Sequence, residues 1–228
     1  MTVPLVRLDH LVVIAPTLEA GVDHVTRSLD VAPEAFAAGG RHPGMATHNR
    51  LLGLWDGLYL EVLANDPEAP APERKRWFGL DSKAVKARLA DGPYLAHWVA
   101  RVERPRELAL WQRQYPARIP PLLPMRRGDY AWQIGVPENG ALPSWKRHGG
   151  DGLLPSLIQW TLPAHPSEQL PYPGIALKRL RGFHANATAL GKHIEWLGAS
   201  SLIALEPTLV EPSLVAEFET PKGPRTLR

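Results

Sequence analysis

The sequence of 228 residues contains no cysteine. A disulfide framework, a thiolate metal site and a cysteine nucleophile are therefore excluded. No apolar run approaches the ~20 residues that a membrane-spanning helix needs. The start, Met1-Thr2-Val3-Pro4-Leu5, has neither the basic nor the apolar stretch of a signal peptide. Together these absences predict a cytoplasmic protein with no membrane partner.

A strong excess of charge of one sign is also missing, since Lys and Arg number 26, Asp and Glu number 23, and the net charge is +3. The tight basic clusters are Arg74-Lys75-Arg76 and Arg126-Arg127. Short clusters in a sequence of mixed charge are typical of solvated loops, so we expect no nucleic-acid partner. A Gly-x-Ser-x-Gly elbow, a His-Glu-x-x-His motif and a phosphate-binding glycine motif are absent too, which disfavours a serine hydrolase or a nucleotide enzyme.

Two similar apolar stretches are the most informative feature that is present. Residues 8–14 and 95–102 are both rich in apolar and β-branched residues, as buried strands are. Each carries a histidine, His10 or His97, two residues after a leucine. Burial of a histidine side chain on a strand costs free energy unless another group binds its imidazole ring. Two of them at matching places predict one shared site.

The elements around these histidines also repeat. After the first strand, Thr17 is the expected N-cap of a helix, residues 37–44 form a glycine-rich loop, and residues 51–54 and 58–64 form a hairpin around Asp56-Gly57. After the second strand come a helix near residues 108–115 and strands near 129–136 and 157–162. The chain therefore predicts an α+β protein with two β-α-β-β-β modules.

These modules define the predicted domains. The first domain spans residues 1–165, with module one at about 6–66, a connector at 67–93 and module two at about 94–165. A truncated third βαββ module follows over residues 174–228, with a final hairpin around Pro221-Lys222-Gly223-Pro224. Repeats on this scale usually pack on one another to complete a core.

The candidate chemistry lies on the first and last strands of each module. Glu61 lies in the apolar run Tyr59-Leu60-Glu61-Val62-Leu63, where a carboxylate needs a cation or a metal. Aligning the two closing strands places Gln159 opposite Glu61. His10, Glu61, His97 and Gln159 could together bind Zn, Ni, Co, Mn or Fe(II) and leave positions open for substrate. The competing interpretation is a metal-free ion pair between Glu61 and His10 or His97, with Gln159 bonded to backbone.

Several other residues have two interpretations. His48, Asn49 and Arg50 follow the glycine loop and either bind substrate or shape a turn. Trp98, Trp132 and Trp160 either line an apolar pocket or pack in the core. The remaining histidines with no partner pattern are expected on the surface or in loops: His24, His148, His165, His184 and His193.

Several segments, in order, resemble the glyoxalase-like domain of the vicinal oxygen chelate superfamily. They are Leu8-Asp9-His10-Leu11-Val12, Gly39-Gly40-Arg41-His42-Pro43-Gly44, Thr47-His48-Asn49-Arg50, Tyr59-Leu60-Glu61 and the closing Leu154-Pro155-Ser156-Leu157-Ile158-Gln159-Trp160. The resemblance covers residues 6–165. It implies paired modules that curl into a cupped mixed sheet, with helices outside and the site inside. It also implies metal ligands at His10, Glu61 and His97, whereas Gln159 stands where a glutamate is commoner.

The resemblance leaves the function open between two classes. The first is a metal-dependent lyase, isomerase or dioxygenase that acts on a small oxygenated substrate, with Glu61 as a candidate catalytic base. The alternative is a metal-free protein of the same fold that binds or sequesters a small molecule. A third interpretation is an interaction module whose halves pair between chains, which would make a homodimer.

Overall fold

The computed structural model describes residues 5–228. The helices in this part of the chain are α1 Leu18–Leu29, α2 Lys83–Ala90, α3 Leu108–Gln114 and α4 Ala187–Trp196. The strands of the first 165 residues are β1 Val6–Ile14, β2 Phe36–His42, β3 Thr47–Leu54, β4 Leu58–Asn65, β5 Tyr94–Val102, β6 Leu122–Arg127, β7 Tyr130–Gly135 and β8 Ser156–Trp160. Those that follow are β9 Ala176–Phe183, β10 Ala204–Glu206, β11 Ser213–Thr220 and β12 Gly223–Leu227.

Strands β1 to β8 form one sheet in the order β2-β3-β4-β1-β5-β8-β7-β6. Each half contains a βαβββ module whose first and last strands are parallel neighbours, β1 with β4 and β5 with β8. The first strands of the two halves, β1 and β5, pair antiparallel at the centre of the sheet. The predicted α+β fold of paired βαβββ modules in a curled sheet, with a truncated C-terminal part, is confirmed.

The outer face of the sheet packs against helices. Leu11 of β1 and Val62 of β4 belong to the same buried cluster as Val25 and Leu29 of α1. Helix α1 begins where predicted, because the Thr17 hydroxyl accepts a hydrogen bond from the backbone N–H of Ala20 at 3.2 Å. The alternation of each strand then sends every second side chain to the inner face.

The inner face forms the cup, which carries its own apolar cluster. Val12 and Ile14 of β1 lie there with Leu63 of β4. Trp77 and Phe78, from the connector between the modules, pack into the same cluster. The cup is therefore covered by the segment that joins its two halves.

A second sheet follows in the order β10-β9-β11-β12. Strands β9 and β10 are parallel, and the hairpin of β11 and β12 pairs antiparallel with β9. The boundary placed between residues 165 and 174 stays a prediction. Within residues 5–228, no helix has the length and apolar character to cross a membrane.

One predicted loop is wrong, since residues 36–42 of the glycine-rich segment form strand β2. The pairing of β2 with β3 is irregular between Ala38 and Arg41, which leaves Gly39 and Gly40 at a bulge. A Cβ atom on Gly39 would lie 2.1 Å from the backbone oxygen of Asn49. The glycine is therefore required for close strand packing rather than for a turn.

Candidate functional site

A buried carboxylate, Asp9, organises the floor of the cup. Its Oδ1 accepts a hydrogen bond from Nδ1 of His10 at 2.6 Å. Its Oδ2 accepts from Nε1 of Trp160 at 2.9 Å and from Nε2 of His165 at 3.1 Å. Burial opposes ionisation of Asp9, but the hydrogen bonds from His10 and His165 outweigh it and hold the pKa of Asp9 well below its ordinary value. The floor therefore carries a fixed negative charge.

A bulge explains how neighbouring residues Asp9 and His10 are both buried. In the pairing of β1 with β5, Leu8 lies opposite Ala100 and His10 lies opposite Val99, so Asp9 is the extra residue. Bulges re-aim side chains and are common beside active sites.

The second nitrogen of His10 faces another carboxylate. Its Nε2 lies 3.7 Å from Oε2 of Glu61. Oε1 of Glu61 accepts a hydrogen bond from Nδ2 of Asn49 at 2.5 Å. The imidazole is also stacked on the ring of Tyr59, with centroids 4.6 Å apart. Asp9 fixes the ring orientation and the Nδ1 proton, so Nε2 faces Glu61 across a gap longer than a direct hydrogen bond, where a ligand atom could contact both groups.

Asn49 connects this pair to a cation. Its Oδ1 accepts hydrogen bonds from the backbone N–H of Gly40 at 2.7 Å and from Nη1 of Arg127 at 3.2 Å. The same Nη1 lies 3.4 Å from Nε2 of His42. Burial, with the nearby Arg127 charge, lowers the pKa of His42 to about 3. His42 is therefore neutral and can accept from Arg127, which brings a positive charge to the wall of the cup.

Aromatic rings enclose the space above these groups. Trp132 and Trp160 are neighbours on the sheet, with ring centroids 5.4 Å apart, while Trp77 and Phe78 stack on each other at 5.4 Å. The remaining cavity has a volume of about 30 Å³, close to the share of one molecule in liquid water. Nε1 of Trp77 is buried and has no hydrogen-bond partner among residues 5–228. The indole N–H of Trp77 is therefore a hydrogen-bond donor without a partner in the described chain.

The structure brings five of the predicted site residues to this cavity, namely His10, Asn49, Glu61, Trp132 and Trp160. The alternation of side chains along β1 and β4 explains why His10 and Glu61 are among them. Val12 lies opposite Glu61 in the parallel pairing, and His10 and Val12 both face the cup. The predicted convergence of the first and last strands of module one is thus visible at His10 and Glu61.

His97 does not reach the cavity. Its Nδ1 lies 3.1 Å from the backbone oxygen of Gly152, and its Nε2 lies 3.0 Å from the hydroxyl of Ser156 and accepts from the backbone N–H of Ser156 at 3.2 Å. The ring packs against Phe78 at 4.9 Å. Burial lowers the pKa of His97 to about 3. A neutral imidazole with both nitrogens bonded has no lone pair free for a metal.

Gln159 lies on the other face of the sheet. Its neighbours Ile158 and Trp160 line the cup, so the alternation of β8 points Gln159 outward. Its Oε1 accepts a hydrogen bond from the backbone N–H of Leu108 at 2.6 Å, at the start of α3. It acts there as a helix cap supplied by another element.

Three further predicted residues also lie outside the cup. His48 and Arg50 flank Asn49 on β3, so their side chains point to the opposite face. Trp98 is fully buried in the outer core, where its Nε1 donates to the backbone oxygen of Leu153 at 2.9 Å. Core packing was the competing interpretation of Trp98, and its contacts agree with that interpretation.

Several residues of the site were not identified from the sequence. Arg127 belongs to a cluster interpreted as solvated, although its position two residues after Met125 on a strand could have placed it on the apolar face. His165 was predicted on the surface or in a loop; it lies in a loop but is buried against Asp9. His193 was assigned to the surface or a loop and is instead buried on α4, which makes that prediction wrong.

The four predicted metal donors do not converge. His10 and Glu61 lie close enough to share an ion, but His97 and Gln159 are committed elsewhere. Among residues 5–228, no three histidine, aspartate or glutamate side chains form a group that could hold a metal ion. The predicted four donors therefore do not fit a common metal.

Comparison with known proteins shows the family. A family model described as a glyoxalase-like domain matches residues 8–198. The chain therefore belongs to the glyoxalase-like domain family, which confirms the family resemblance predicted from the sequence. No curated protein matches the chain.

Three solved structures of distant proteins are similar to this chain, and the first shows the same fold. A hypothetical protein from Staphylococcus aureus is 11% identical, with a TM-score of 0.59 over 91% of this chain and 88% of that chain. Methylmalonyl-CoA epimerase from Mycobacterium tuberculosis is 13% identical, with a TM-score of 0.42 over 70% of this chain and 91% of that chain. The epimerase from Streptomyces coelicolor, in complex with 2-nitronate-propionyl-CoA, is 17% identical, with a TM-score of 0.42 over 69% of this chain and 99% of that chain. At these identities the likeness concerns the fold alone.

Proposed function

We propose that this glyoxalase-like protein is an enzyme that moves a proton on a small oxygenated substrate inside the cup, as an isomerase or a lyase does. The observation that carries the proposal is the buried series Asp9–His10–Glu61, with Nε2 of His10 3.7 Å from Oε2 of Glu61. A carboxylate and an oriented imidazole at this distance form an acid–base pair. In this proposal Glu61 takes a proton from the carbon next to a carbonyl, and Nε2 of the protonated His10 gives a proton to the carbonyl oxygen, which forms an enol. The reverse transfers return the proton to carbon and restore both side chains.

The charges around the pair indicate the substrate class. Arg127 lies on the wall of the cup within 3.2 Å of Asn49, and Nε1 of Trp77 is an unused donor beside the same cavity. A guanidinium and an indole N–H both bind oxygen acceptors, and the guanidinium favours an anion. The proposed substrate is therefore a small carbonyl compound with an acidic group.

Substrate binding requires the cup to open. Its cavity of about 30 Å³ is far smaller than the ~300–1,000 Å³ of ordinary ligand pockets. Trp77 and Phe78 fill the space, and Phe78 has a φ of 54°, which is uncommon for a bulky residue. An ion pair inside the connector braces its turn, with Nη1 of Arg76 2.7 Å from Oδ1 of Asp81, and Nε of Arg76 reaches the backbone oxygen of Ala46 at 3.5 Å. We propose that this connector moves aside when substrate enters.

A divalent ion such as Zn, Ni, Co, Mn or Fe(II) would have His10 and Glu61 as its protein ligands. Two donors are fewer than the three or more that protein zinc sites use, so the proposed proton transfer is assigned to the side chains alone. The test is metal analysis of protein purified without chelator. We expect less than stoichiometric metal in the wild type; stoichiometric metal that is lost in His10→Ala and kept in His97→Ala would overturn this assignment.

The experiment for the reaction class is deuterium exchange. The protein is incubated in D₂O with a panel of small 2-oxo and 3-oxo acids, and NMR follows exchange at the carbon next to the carbonyl. We expect protein-dependent exchange in at least one compound, lost in Glu61→Gln. No exchange with any compound would contradict the proposal.

The second candidate function is sequestration of a small aromatic compound without turnover. The walls formed by Trp77, Trp132 and Trp160 favour it, since aromatic rings stack on planar ligands. Quenching of tryptophan fluorescence by panel members that show no deuterium exchange would support this alternative.

Location and assembly complete the proposal. We place the protein in the cytoplasm, as the lack of cysteine favours. We also propose a homodimer, because the edge strand β12 pairs with β11 alone within the described chain. Light scattering after size exclusion tests the dimer, and a monomer mass would contradict it.

A further inference from the structure

The space inside the cup is small, but a much larger cleft lies where the two sheets meet. Its volume is about 480 Å³, within the range of small-molecule pockets. It is bordered by residues 6–8 of β1, residues 177–180 of β9 and the turn at residues 200–204. No residue of the acid–base pair lines it.

The charge of this cleft is one-sided. Four cationic residues line it, whereas Asp56 is its one acidic residue among residues 5–228; the cations are Arg7, Arg101, Lys178 and Arg179. Arg101 is paired with Glu103 at 3.1 Å. The other three cations have no ion pair within 4.0 Å among the described residues. The cleft thus carries an excess of positive charge, which Glu103 beside Arg101 and the cross-strand neighbour Glu217 of Arg179 offset only in part.

Two of these cations are held side by side by the sheet. Arg7 and Arg101 are direct cross-strand partners in the antiparallel pairing of β1 with β5. Like charges at such positions repel and destabilise a sheet. A bound anion would remove this repulsion, so the arrangement favours a ligand of negative charge.

The cleft also lies between two strand edges that have unpaired backbone. Strand β10 pairs only with residues 181–183 of β9, which leaves residues 177–180 open on that side. Strand β4 pairs with β1 only from His10 onward, which leaves residues 6–8 open toward the cleft. Unpaired N–H groups at such edges are additional donors for an acceptor ligand.

The walls between the charges are apolar, since Leu58, Leu177 and Ile203 line the same space. We infer that the cleft is a binding site for a small organic anion, a phosphate, sulfonate or carboxylate carried on an apolar body. The acidic group meets Arg7 and Arg179, and the apolar body packs on the leucines. This site is separate from the cup and does not depend on the function proposed for it.

The probe for this site is anilinonaphthalene sulfonate, with N-phenylnaphthylamine as the matched neutral compound. Fluorescence titration is carried out on the wild type and on the double variant Arg7→Gln with Arg179→Gln, whose changed side chains are both exposed. We expect the sulfonate to bind the wild type and its affinity to fall about tenfold or more in the double variant, because charged hydrogen-bond partners are lost. The neutral compound should bind both proteins equally.

Two controls make the outcome decisive. Arg126→Gln removes one positive charge, half the change in the double variant, at an exposed residue that does not line the cleft, and Glu61→Gln changes the cup only. Both should keep the affinity of the wild type for the sulfonate. The inference is overturned if the wild type does not bind the sulfonate, if Arg126→Gln weakens binding as much as the double variant, or if the neutral compound is affected equally.

Discussion

The two halves of the large sheet carry the same histidine at the same place, and the two histidines do different things. His10 is fixed by Asp9 on one nitrogen and presents the other to Glu61 at 3.7 Å. His97 has both nitrogens bonded, to Gly152 and Ser156, and packs behind Phe78. A histidine repeated in both halves is available for chemistry only where its second ring nitrogen has no structural partner, as in His10.

The closing strands of the two halves differ in the same way. Glu61 on β4 faces the cup, whereas Gln159 on β8 faces outward and caps α3. In the proposed function, module one supplies the acid–base groups, and module two supplies walls and supports. The four predictions that follow test this asymmetry, from the largest expected effect to the smallest.

Glu61→Gln should lower the rate of deuterium exchange about a thousandfold, because the amide cannot take the proton and general acid–base catalysis contributes ~10²–10⁴-fold. NMR exchange rates on the compound with the fastest exchange measure the effect. Gln159→Ala, the matched change in module two, should alter the rate less than twofold. Equal losses in the two variants would refute the asymmetry.

Asp9→Ala should lower the free energy of unfolding by about 3 kcal/mol, since three donors lose their buried acceptor. Ser156→Ala, at the other histidine, should cost only about 1 kcal/mol, because the backbone N–H of Ser156 still donates to Nε2 of His97. Urea unfolding at neutral pH compares the two. A larger loss in Ser156→Ala would show that module two carries the more critical network.

His97 should make stability depend on pH below its ordinary pKa of ~6.5. Its pKa in the fold is about 3 because of burial, so between these values the unfolded chain binds a proton that the folded chain does not. Stability therefore falls as the pH drops, by up to about 1.4 kcal/mol per pH unit for one histidine. Urea unfolding between pH 7 and pH 4 should show a shallower slope in His97→Gln.

Trp98→Phe is the control for this titration, since it removes a buried hydrogen bond on the same strand without a titratable group. It should lower stability by a similar amount at every pH. An unchanged slope in His97→Gln would mean that His97 does not contribute to the acid sensitivity.

Gln159→Ala should lower the free energy of unfolding by about 1 kcal/mol, the usual cost of a lost helix cap. Gln159→Glu should keep the stability of the wild type, because a carboxylate also accepts from the N–H of Leu108 and its charge suits a helix start. Thermal and urea unfolding measure both variants. A severe loss in Gln159→Glu would indicate that the side chain turns into the cup.

The sequence carried enough signal to predict His10 and Glu61 but not their counterparts. In module one, Glu61 could be identified because a carboxylate within an apolar run needs a partner, and His10 because a histidine on a buried strand needs one. In β8 the residues Leu157, Ile158 and Trp160 are all apolar, so no polar alternation shows which face Gln159 takes. A shift of one residue in the alignment of β8 with β4 moves a side chain to the opposite face of the sheet. The alignment of the two closing strands therefore could not show which face Gln159 takes.

The partners of His97 and Asp9 were hidden for a different reason. Gly152 and Ser156 lie more than fifty residues from His97 in the chain, and His165 lies further still from Asp9. Such contacts follow from the curl of the sheet and from loop paths, which local patterns do not encode. The apolar periodicity of α1 and β5, by contrast, is a local property and predicted both elements correctly.

The three donors to Asp9 have a consequence for how the protein could have been assembled. His10 is its neighbour, but Trp160 and His165 come from the far end of the second half. A first half made alone would enclose an ionised acid with one partner instead of three, and would be poorly stable. Loss of the second half should therefore remove two of the three donors to Asp9 and disrupt the floor of the cup.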